Sequence, residues 1–303
     1  MRRCVLGLTA LVVLLACHPT TASVVLESYQ FGAQLSDTPD YEWWHGCSPT
    51  SAGMLLAYYD INGYDGLDYS DLIAGGVAEL STFGVSSAIA NDAIASSEHI
   101  ADFYGAGYLG SGDDITPSHE FNCLADFMGT SQDAAGNVNG GTTFYYYSNG
   151  APFGLADAVS QSVEDRSGMY GIYEYILYCG YSVATLFNQY TDNRDEDGFT
   201  YDDFKNEIDA GRPVLIHVEG HTMLGYGYDE TGSDLIYVRD TWTSGEHTMI
   251  WGGSYSGSSL FLVTALELSG GEPVLVPEPS SILVWSLLGC MGMVVGYRRR
   301  RRE

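Results

Sequence analysis

The sequence predicts one α+β domain in which helices come first and antiparallel strands follow. A long helix is predicted directly after Cys47, because apolar residues recur there at helical spacing. Two short apolar runs, residues 214–218 and 222–228, and a returning run at 235–238 predict antiparallel strands. The body between the two chain ends, residues 23–275, is long enough to bury a full core.

The chain begins with a predicted secretory signal peptide, residues 1–22. Two arginines precede an apolar run at residues 5–16, and small residues at 20–22 offer a cleavage site before Ser23. These features predict export, and the segment is not counted as part of the fold.

The next element is the helix that follows Cys47. Pro49 fits the first turn, where the missing N–H costs nothing. The residues on its apolar face are Ala52, Leu55, Leu56 and Tyr59. Cys47 is therefore predicted at a helix N-terminus, where free N–H groups and the helix dipole favour the thiolate. A buried structural cysteine is the alternative.

Two partners for this thiol lie on the predicted hairpin. His221 opens the strand that follows residues 214–218. The turn at 229–233 contains the predicted centre of antiparallel pairing, and this centre places His221 beside Asp240. A carboxylate on one ring nitrogen would fix the tautomer and leave the other nitrogen to take the thiol proton. Taken one at a time, His221 fits a histidine at the edge of a strand, and Asp240 fits an aspartate that caps a turn. Together with Cys47, they predict a thiol catalyst.

Four sequence blocks between about residues 40 and 245 resemble the C39-like branch of the papain-like cysteine peptidases. The blocks are residues 47–52, 208–215, 220–221 and 238–242, which read CSPTSA, IDAGRPVL, GH and VRDTW. The resemblance implies a papain-like fold, with an N-terminal helical lobe, an antiparallel β lobe and the active-site cleft between them. The helical lobe is expected over about residues 48–186 and the β lobe over about residues 214–268.

The same resemblance implies the roles of the three residues. Cys47 is expected as nucleophile, His221 as general base and acid, and Asp240 as the residue that orients the imidazole. The implied reaction is hydrolysis of peptide bonds in a peptide or protein substrate. Amidase or acyl-transferase chemistry on the same triad is the first alternative, since a fold does not set the reaction.

The chain departs from this family at the position that stabilises the oxyanion. The family usually carries a glutamine several residues before the cysteine, whereas residues 41–43 here read Tyr-Glu-Trp. Gln34 is the nearest upstream glutamine and His45 the nearest polar donor, while the Cys47 backbone N–H supplies one donor. Losing one oxyanion donor typically costs about 10²–10³ in rate. A weak or inactive, surface-anchored binding or matrix protein is therefore the second alternative.

The C-terminal end, residues 276–303, resembles a PEP-CTERM sorting signal. A Pro-Glu-Pro triplet at 277–279 precedes an apolar run at 282–297 and five arginines at 298–302. As a helix, the apolar run spans about 24 Å, adequate for a membrane crossing with its flanking residues, and the arginines should stay cytoplasmic. The resemblance implies transient residence in the inner membrane, cleavage by an exosortase-type sorting enzyme and delivery to the cell surface or extracellular matrix. An ordinary C-terminal anchor is the alternative.

The charge distribution excludes nucleic acid as an expected partner. The formal net charge is −27, and seven of the 12 Lys and Arg residues lie in the two end segments. Phosphate binding needs clustered cations, which this acidic body lacks. Solubility outside the cell explains the excess of acidic residues.

The body contains Cys47, Cys123 and Cys179. A bridge between Cys123 and Cys179 would leave Cys47 as the free thiol. We expect no cofactor and no metal in the catalytic site. The acidic stretches 60–66 and 192–198 resemble calcium loops but lack glutamate at the twelfth position, so solvated loops are expected and calcium binding is the alternative.

Overall fold

The computed structural model describes residues 32–73, 89–105, 121–132 and 135–269. The predicted signal peptide at 1–22 and the predicted sorting signal at 276–303 lie outside these residues. Among the helices within the described ranges, none has the length and apolar character needed to cross a membrane.

Helices and antiparallel strands make up the described part of the chain. The helices are α1 (Cys47–Asn62), α2 (Ile89–Ile94), α3 (Ser97–Gly105), α4 (Leu124–Phe127), α5 (Leu155–Gln161), α6 (Gly168–Tyr178) and α7 (Tyr201–Asp209). The strands are β1 (Gly32–Gln34), β2 (Phe153–Gly154), β3 (Val183–Tyr190), β4 (Val214–Val218), β5 (His221–Asp229), β6 (Leu235–Arg239), β7 (His247–Ile250), β8 (Ser254–Tyr255) and β9 (Ser258–Leu268). The predicted mixture of helices and antiparallel sheet is confirmed.

The strands form one sheet with the order β2-β3-β9-β4-β5-β6-β7, to which β1 adds along β5 and β8 along β9. Successive residues of a strand face opposite sides of a sheet. On β4, Leu215 belongs to the apolar cluster that contains α1, whereas Ile216 belongs to the cluster that contains α7. The middle of the sheet therefore separates two hydrophobic cores, which is why β4 is buried along its whole length.

Helix α1 begins at Cys47, as the sequence predicts. Every residue from Ser48 to Tyr59 is buried, so the prediction of a single apolar face is too narrow. The Tyr59 hydroxyl donates to the Leu266 carbonyl at 3.1 Å and so links the helix to β9. A helix enclosed in this way gives Cys47 a fixed position at its N-terminus.

The predicted boundary of the helical lobe at Leu186 is wrong. Strand β3 starts before that residue, continues beyond it and pairs with β9, with Leu186 opposite Leu266. Helix α7 follows β3 along the chain, and it packs on strand β5. Helices and strands are thus interleaved along the sequence more than the prediction allowed.

The bridge between Cys123 and Cys179, which the sequence left open, does not form, because both are free thiols in the structure. The Cys179 thiol donates to the Leu72 carbonyl at 3.8 Å. Cys123 is fully buried beside Asp126. Cys47 is a free thiol as well.

Candidate active site

Cys47 and His221 meet where helix α1 packs against the first residues of β5. The Ser48 hydroxyl lies 2.9 Å from the Thr222 hydroxyl, and the Ser51 hydroxyl donates to the Thr222 carbonyl at 3.0 Å. These contacts hold the start of α1 against the neighbour of His221. As a result, the Cys47 thiol and the His221 imidazole line the same cleft and lie close enough for each to shift the pKa of the other.

The surroundings of this pair favour its charged form. Burial by itself would raise the pKa of the Cys47 thiol, but the hydrogen bond and charge of His221, with smaller contributions from Thr222 and Ser48, lower it overall. Burial by itself would lower the pKa of His221, but its contacts with Cys47 and Asp240 raise it overall. The unpaired N–H groups at the start of α1 also favour a thiolate. Both shifts act in the direction of a thiolate beside an imidazolium.

Asp240 lies beside His221 but contacts it through an atom that the sequence does not predict. The His221 Nε2 atom is 2.6 Å from the backbone carbonyl oxygen of Asp240. A carbonyl only accepts hydrogen bonds, so Nε2 carries a proton and Nδ1 is left for Cys47. The predicted carboxylate contact is therefore corrected to a carbonyl contact.

The register of the hairpin explains the correction. Next to the turn, Asp229 pairs with Leu235, and the bulge near Gly225 then changes the register by one residue, so that Leu224 pairs with Arg239. This last pair places the centre of pairing one residue beyond the predicted centre. Each one-residue move of the centre changes the cross-strand partner by two residues. The residue facing His221 is consequently Trp242, whose ring stacks on the imidazole with 4.0 Å between centroids.

The Asp240 carboxylate organises the loop that carries its own carbonyl. One oxygen accepts from the backbone N–H groups of Trp242 and Thr243 at 2.9 and 3.0 Å, and the other accepts from the Tyr255 hydroxyl at 2.7 Å. A carboxylate bonded to the backbone two residues on forms an Asx-turn. This turn fixes the direction of the carbonyl that holds His221.

The same loop is tied to the segment that precedes Cys47. Thr241 has φ 62°, an unfavourable conformation for a β-branched residue. Its carbonyl accepts the Trp43 N–H at 2.6 Å. The strained turn is therefore held between the Asp240 carboxylate and the chain leading into α1, and it fixes the histidine side of the site relative to the cysteine side.

The neighbouring histidines are not positioned as bases. His217 is buried on β4 between two threonine hydroxyls, at 3.1 and 2.8 Å, and burial lowers its pKa to about 3. Burial, with a smaller effect of His99, lowers the pKa of His45 to about 4. Both rings are neutral at neutral pH, whereas the pKa of His221 is raised.

A cleft of about 430 Å³ opens over Cys47 and His221. Its aromatic lining consists of Trp43, Phe144, Trp242 and Phe261. The indoles of Trp43 and Trp242 remain 44% and 47% exposed, which gives the cleft an apolar rim. Exposed apolar surface next to polar catalytic groups is typical of a ligand-binding cleft.

Neither Gln34 nor His45 lines this cleft. Gln34 lies on β1, where its amide donates to Glu246 at 3.2 Å. The His45 ring packs against the rings of Trp43 and Trp44, with centroid distances of 5.7 and 4.7 Å. Neither of the two residues nearest to the missing glutamine therefore contributes to the cleft lining.

Asn139 lines the cleft and was missed from the sequence. It is exposed, with φ 52°, and the next residue, Gly140, packs against the chain before Cys47. A Cβ on Gly140 would lie 3.2 Å from both the Gly46 Cα and the His45 carbonyl oxygen. The Asn-Gly-Gly sequence at 139–141, typical of a tight turn, was the only signal that could have marked this position.

A family model, described as the Peptidase_C39 like family, matches residues 29–255, more than half of the chain. The chain belongs to this family. Membership makes the protein a cysteine-type peptidase, a hydrolase whose substrates are peptides or proteins. Strand β9 lies beyond the matched residues although it occupies the middle of the sheet. Comparisons with curated proteins and with solved structures gave no significant match.

The two acidic stretches that resemble calcium loops use carboxylate oxygens in hydrogen bonds within the protein. Asp60 accepts from the N–H groups of Leu72 and Ile73 at 3.1 and 2.8 Å. Asp192 accepts from the Trp251 indole at 2.8 Å. Solvated loops stay the expectation at both stretches, and calcium binding stays the alternative.

Proposed function

We propose that this peptidase is exported and sorted to the cell surface, and that it hydrolyses peptide bonds with Cys47, His221 and Asp240. The observation that carries the catalytic part is the placement of the Cys47 thiol beside the His221 imidazole in one cleft, with the imidazole held by the Asp240 carbonyl. Family membership supports the reaction class.

In the proposed mechanism, the Cys47 thiolate attacks the scissile carbonyl carbon. The resulting oxyanion collapses to a thioacyl enzyme as the C–N bond breaks, and His221 gives its Nδ1 proton to the leaving amine. A water molecule then loses a proton to Nδ1 and attacks the thioacyl carbon, which releases the acid and restores the thiolate. His221 Nε2 keeps its proton and donates it to the Asp240 carbonyl throughout, so the imidazole keeps its orientation.

The proposed oxyanion donors are the Cys47 backbone N–H and the Asn139 side-chain amide. The first N–H groups of a helix have no partner within the helix, and Asn139 lines the same cleft beside the chain that leads into α1. Asn139→Asp tests this role, because aspartate tolerates the left-handed backbone and keeps the shape but replaces the donor by an acceptor. We expect kcat to fall by about 10²–10³, while Gln34→Ala leaves it unchanged. A kcat within twofold of wild type in Asn139→Asp would remove Asn139 from the mechanism.

Labelling with an iodoacetamide-type probe distinguishes a live thiol from an inactive scaffold. Labelling at Cys47, and its loss in Cys47→Ala but not in Cys179→Ala, supports the enzyme. Amidase or acyl-transfer chemistry would use the same residues, so product analysis on peptides and on peptidoglycan-type amides decides between these reactions. Labelling of Cys47 no faster than that of an ordinary thiol would favour the binding or matrix protein, which the missing glutamine also favours.

Export and sorting are supported by the sequence of the two chain ends. In this proposal the chain resides in the inner membrane through residues 282–297 until an exosortase-type enzyme cleaves near the Pro-Glu-Pro triplet. Mass spectrometry of the surface fraction should find a chain that begins near Ser23 and ends near residue 280. An intact C-terminus through Glu303 would indicate a permanent anchor instead.

A further inference from the structure

A second cluster of reactive side chains is buried among the helices. His99 lies on α3, Asp126 on α4, and Cys123 directly before α4; all three are at most 1% exposed. One nitrogen, sulfur or carboxylate oxygen from each lies within 4.8 Å of the other two. The His99 Nδ1 atom is 2.7 Å from an Asp126 carboxylate oxygen. None of the three residues lines the cleft over Cys47.

These three side chains match the ligand preferences of a zinc-like ion. Zinc binds thiolate sulfur at about 2.3 Å and imidazole nitrogen or carboxylate oxygen at about 2.0–2.2 Å, in a tetrahedron. Two ligands of one such ion are therefore about 3–4 Å apart, so small side-chain adjustments would bring this cluster into place. Calcium and magnesium prefer oxygen ligands throughout, which a thiol and an imidazole do not provide.

We propose that His99, Cys123 and Asp126 form a site for one zinc-like divalent metal ion, separate from the Cys47–His221 pair. A water molecule would complete the tetrahedron. The proposal does not depend on the catalytic mechanism.

The local electrostatics support a cation at this place. Burial, and then the charge of Asp126, raise the pKa of the Cys123 thiol well above its usual range. A divalent ion reverses this effect, because it stabilises the thiolate and displaces the thiol proton.

Hydrogen bonds from the surrounding backbone and side chains hold the cluster in position. The Ser96 hydroxyl accepts the His99 N–H at 3.1 Å, and the Gln132 amide donates to the Asp126 carbonyl at 3.1 Å. Ligands fixed in this way lose little further conformational freedom when a metal binds. The Trp44 indole donates to the Ala95 carbonyl at 3.2 Å. The site would thus brace the segment that leads into Cys47.

Cobalt titration of the full chain carrying Cys47→Ser tests the site, because the substitution removes the catalytic thiol as a competing ligand. Thiolate coordination to Co²⁺ gives an intense charge-transfer absorption in the near ultraviolet. We expect this band to saturate at one equivalent of Co²⁺ and to be bleached by Zn²⁺. Adding Cys123→Ser should weaken Co²⁺ binding by at least about 100-fold, whereas adding Cys179→Ser should leave it unchanged.

Asp126→Asn in the Cys47→Ser chain gives a second, nearly isosteric test if Cys123→Ser does not fold. We expect Co²⁺ affinity to fall by about 10–100-fold in that variant. Absence of a thiolate band in the Cys47→Ser chain at saturating Co²⁺ would overturn the proposal. Unchanged affinity in either Cys123→Ser or Asp126→Asn would overturn it as well, because the metal would then be bound elsewhere.

Discussion

Asp240→Asn distinguishes the two ways in which Asp240 can orient His221. The backbone carbonyl that accepts from Nε2 at 2.6 Å is present whatever the side chain at this position. The asparagine oxygen can still accept from the N–H groups of Trp242 and Thr243, and the Tyr255 hydroxyl can accept from the new amide instead of donating. We therefore expect the loop and the imidazole to keep their positions.

The two arrangements differ by about three orders of magnitude in the expected rate. Where a carboxylate orients the catalytic imidazole directly, replacement by asparagine costs about 10⁴ in kcat, or about 5.5 kcal/mol. Here only a negative charge near the imidazolium is lost, and we expect kcat/KM to fall by about tenfold or less, which is about 1.4 kcal/mol. Asp240→Ala also removes three hydrogen bonds to a charged group, worth about 1.5–3 kcal/mol each. We expect that variant to lose at least about 100-fold as the loop relaxes.

The rate of Cys47 alkylation by iodoacetamide, measured against pH, provides an assay that needs no known substrate. The lowered pKa of Cys47 predicts an inflection below the usual thiol value of about 8.5. Asp240→Asn should move this inflection upward only slightly, because the charge of Asp240 raises the pKa of His221 and so supports the ion pair. His221→Ala should remove the low inflection. An Asp240→Asn profile that matches His221→Ala would refute orientation by the carbonyl.

Two other results are expected. The pH profile of kcat/KM should be bell-shaped, because activity appears as Cys47 loses its proton at a lowered pKa and disappears as His221 loses its proton at a raised pKa; a profile with no acidic limb would contradict the ion pair. Trp242→Ala should lower kcat/KM by about tenfold (about 1.4 kcal/mol), because it exposes the stacked imidazole to water. The temperature of thermal unfolding should shift little, because the indole is half exposed. An unchanged kcat/KM would show that the stack has no role.

The elements that were predicted correctly are those encoded by local sequence. Pro49 and the helical spacing of apolar residues place Cys47 at the start of α1, and the structure begins the helix at that residue. Turn-forming residues at 229–233 define the β5–β6 hairpin, and both strands form where predicted. In each case the decisive interactions lie within a few residues of one another along the chain.

The errors arise where distant segments meet. At Gly227, a Cβ would lie 2.7 Å from the Ala33 carbonyl oxygen, because β1 pairs closely along β5 at this point. The adjoining bulge changes the register of the hairpin by one residue, so that Trp242 rather than Thr243 faces His221. The glycine is visible in the sequence, but the strand that requires it is about 190 residues away along the chain. Strand β3 was missed for the same reason, since its partner β9 lies far downstream.

The order Cys, His, Asp along a chain identifies residues but not the atoms that act. At Asp240 the backbone carbonyl fixes the imidazole, while the carboxylate stabilises the turn through the N–H groups of Trp242 and Thr243. An alanine substitution disturbs both functions and would therefore give the result expected of an ordinary triad carboxylate. Asparagine preserves the turn and alters only the charge. The comparison of these two variants, rather than the loss of activity in either alone, thus identifies the group that orients His221.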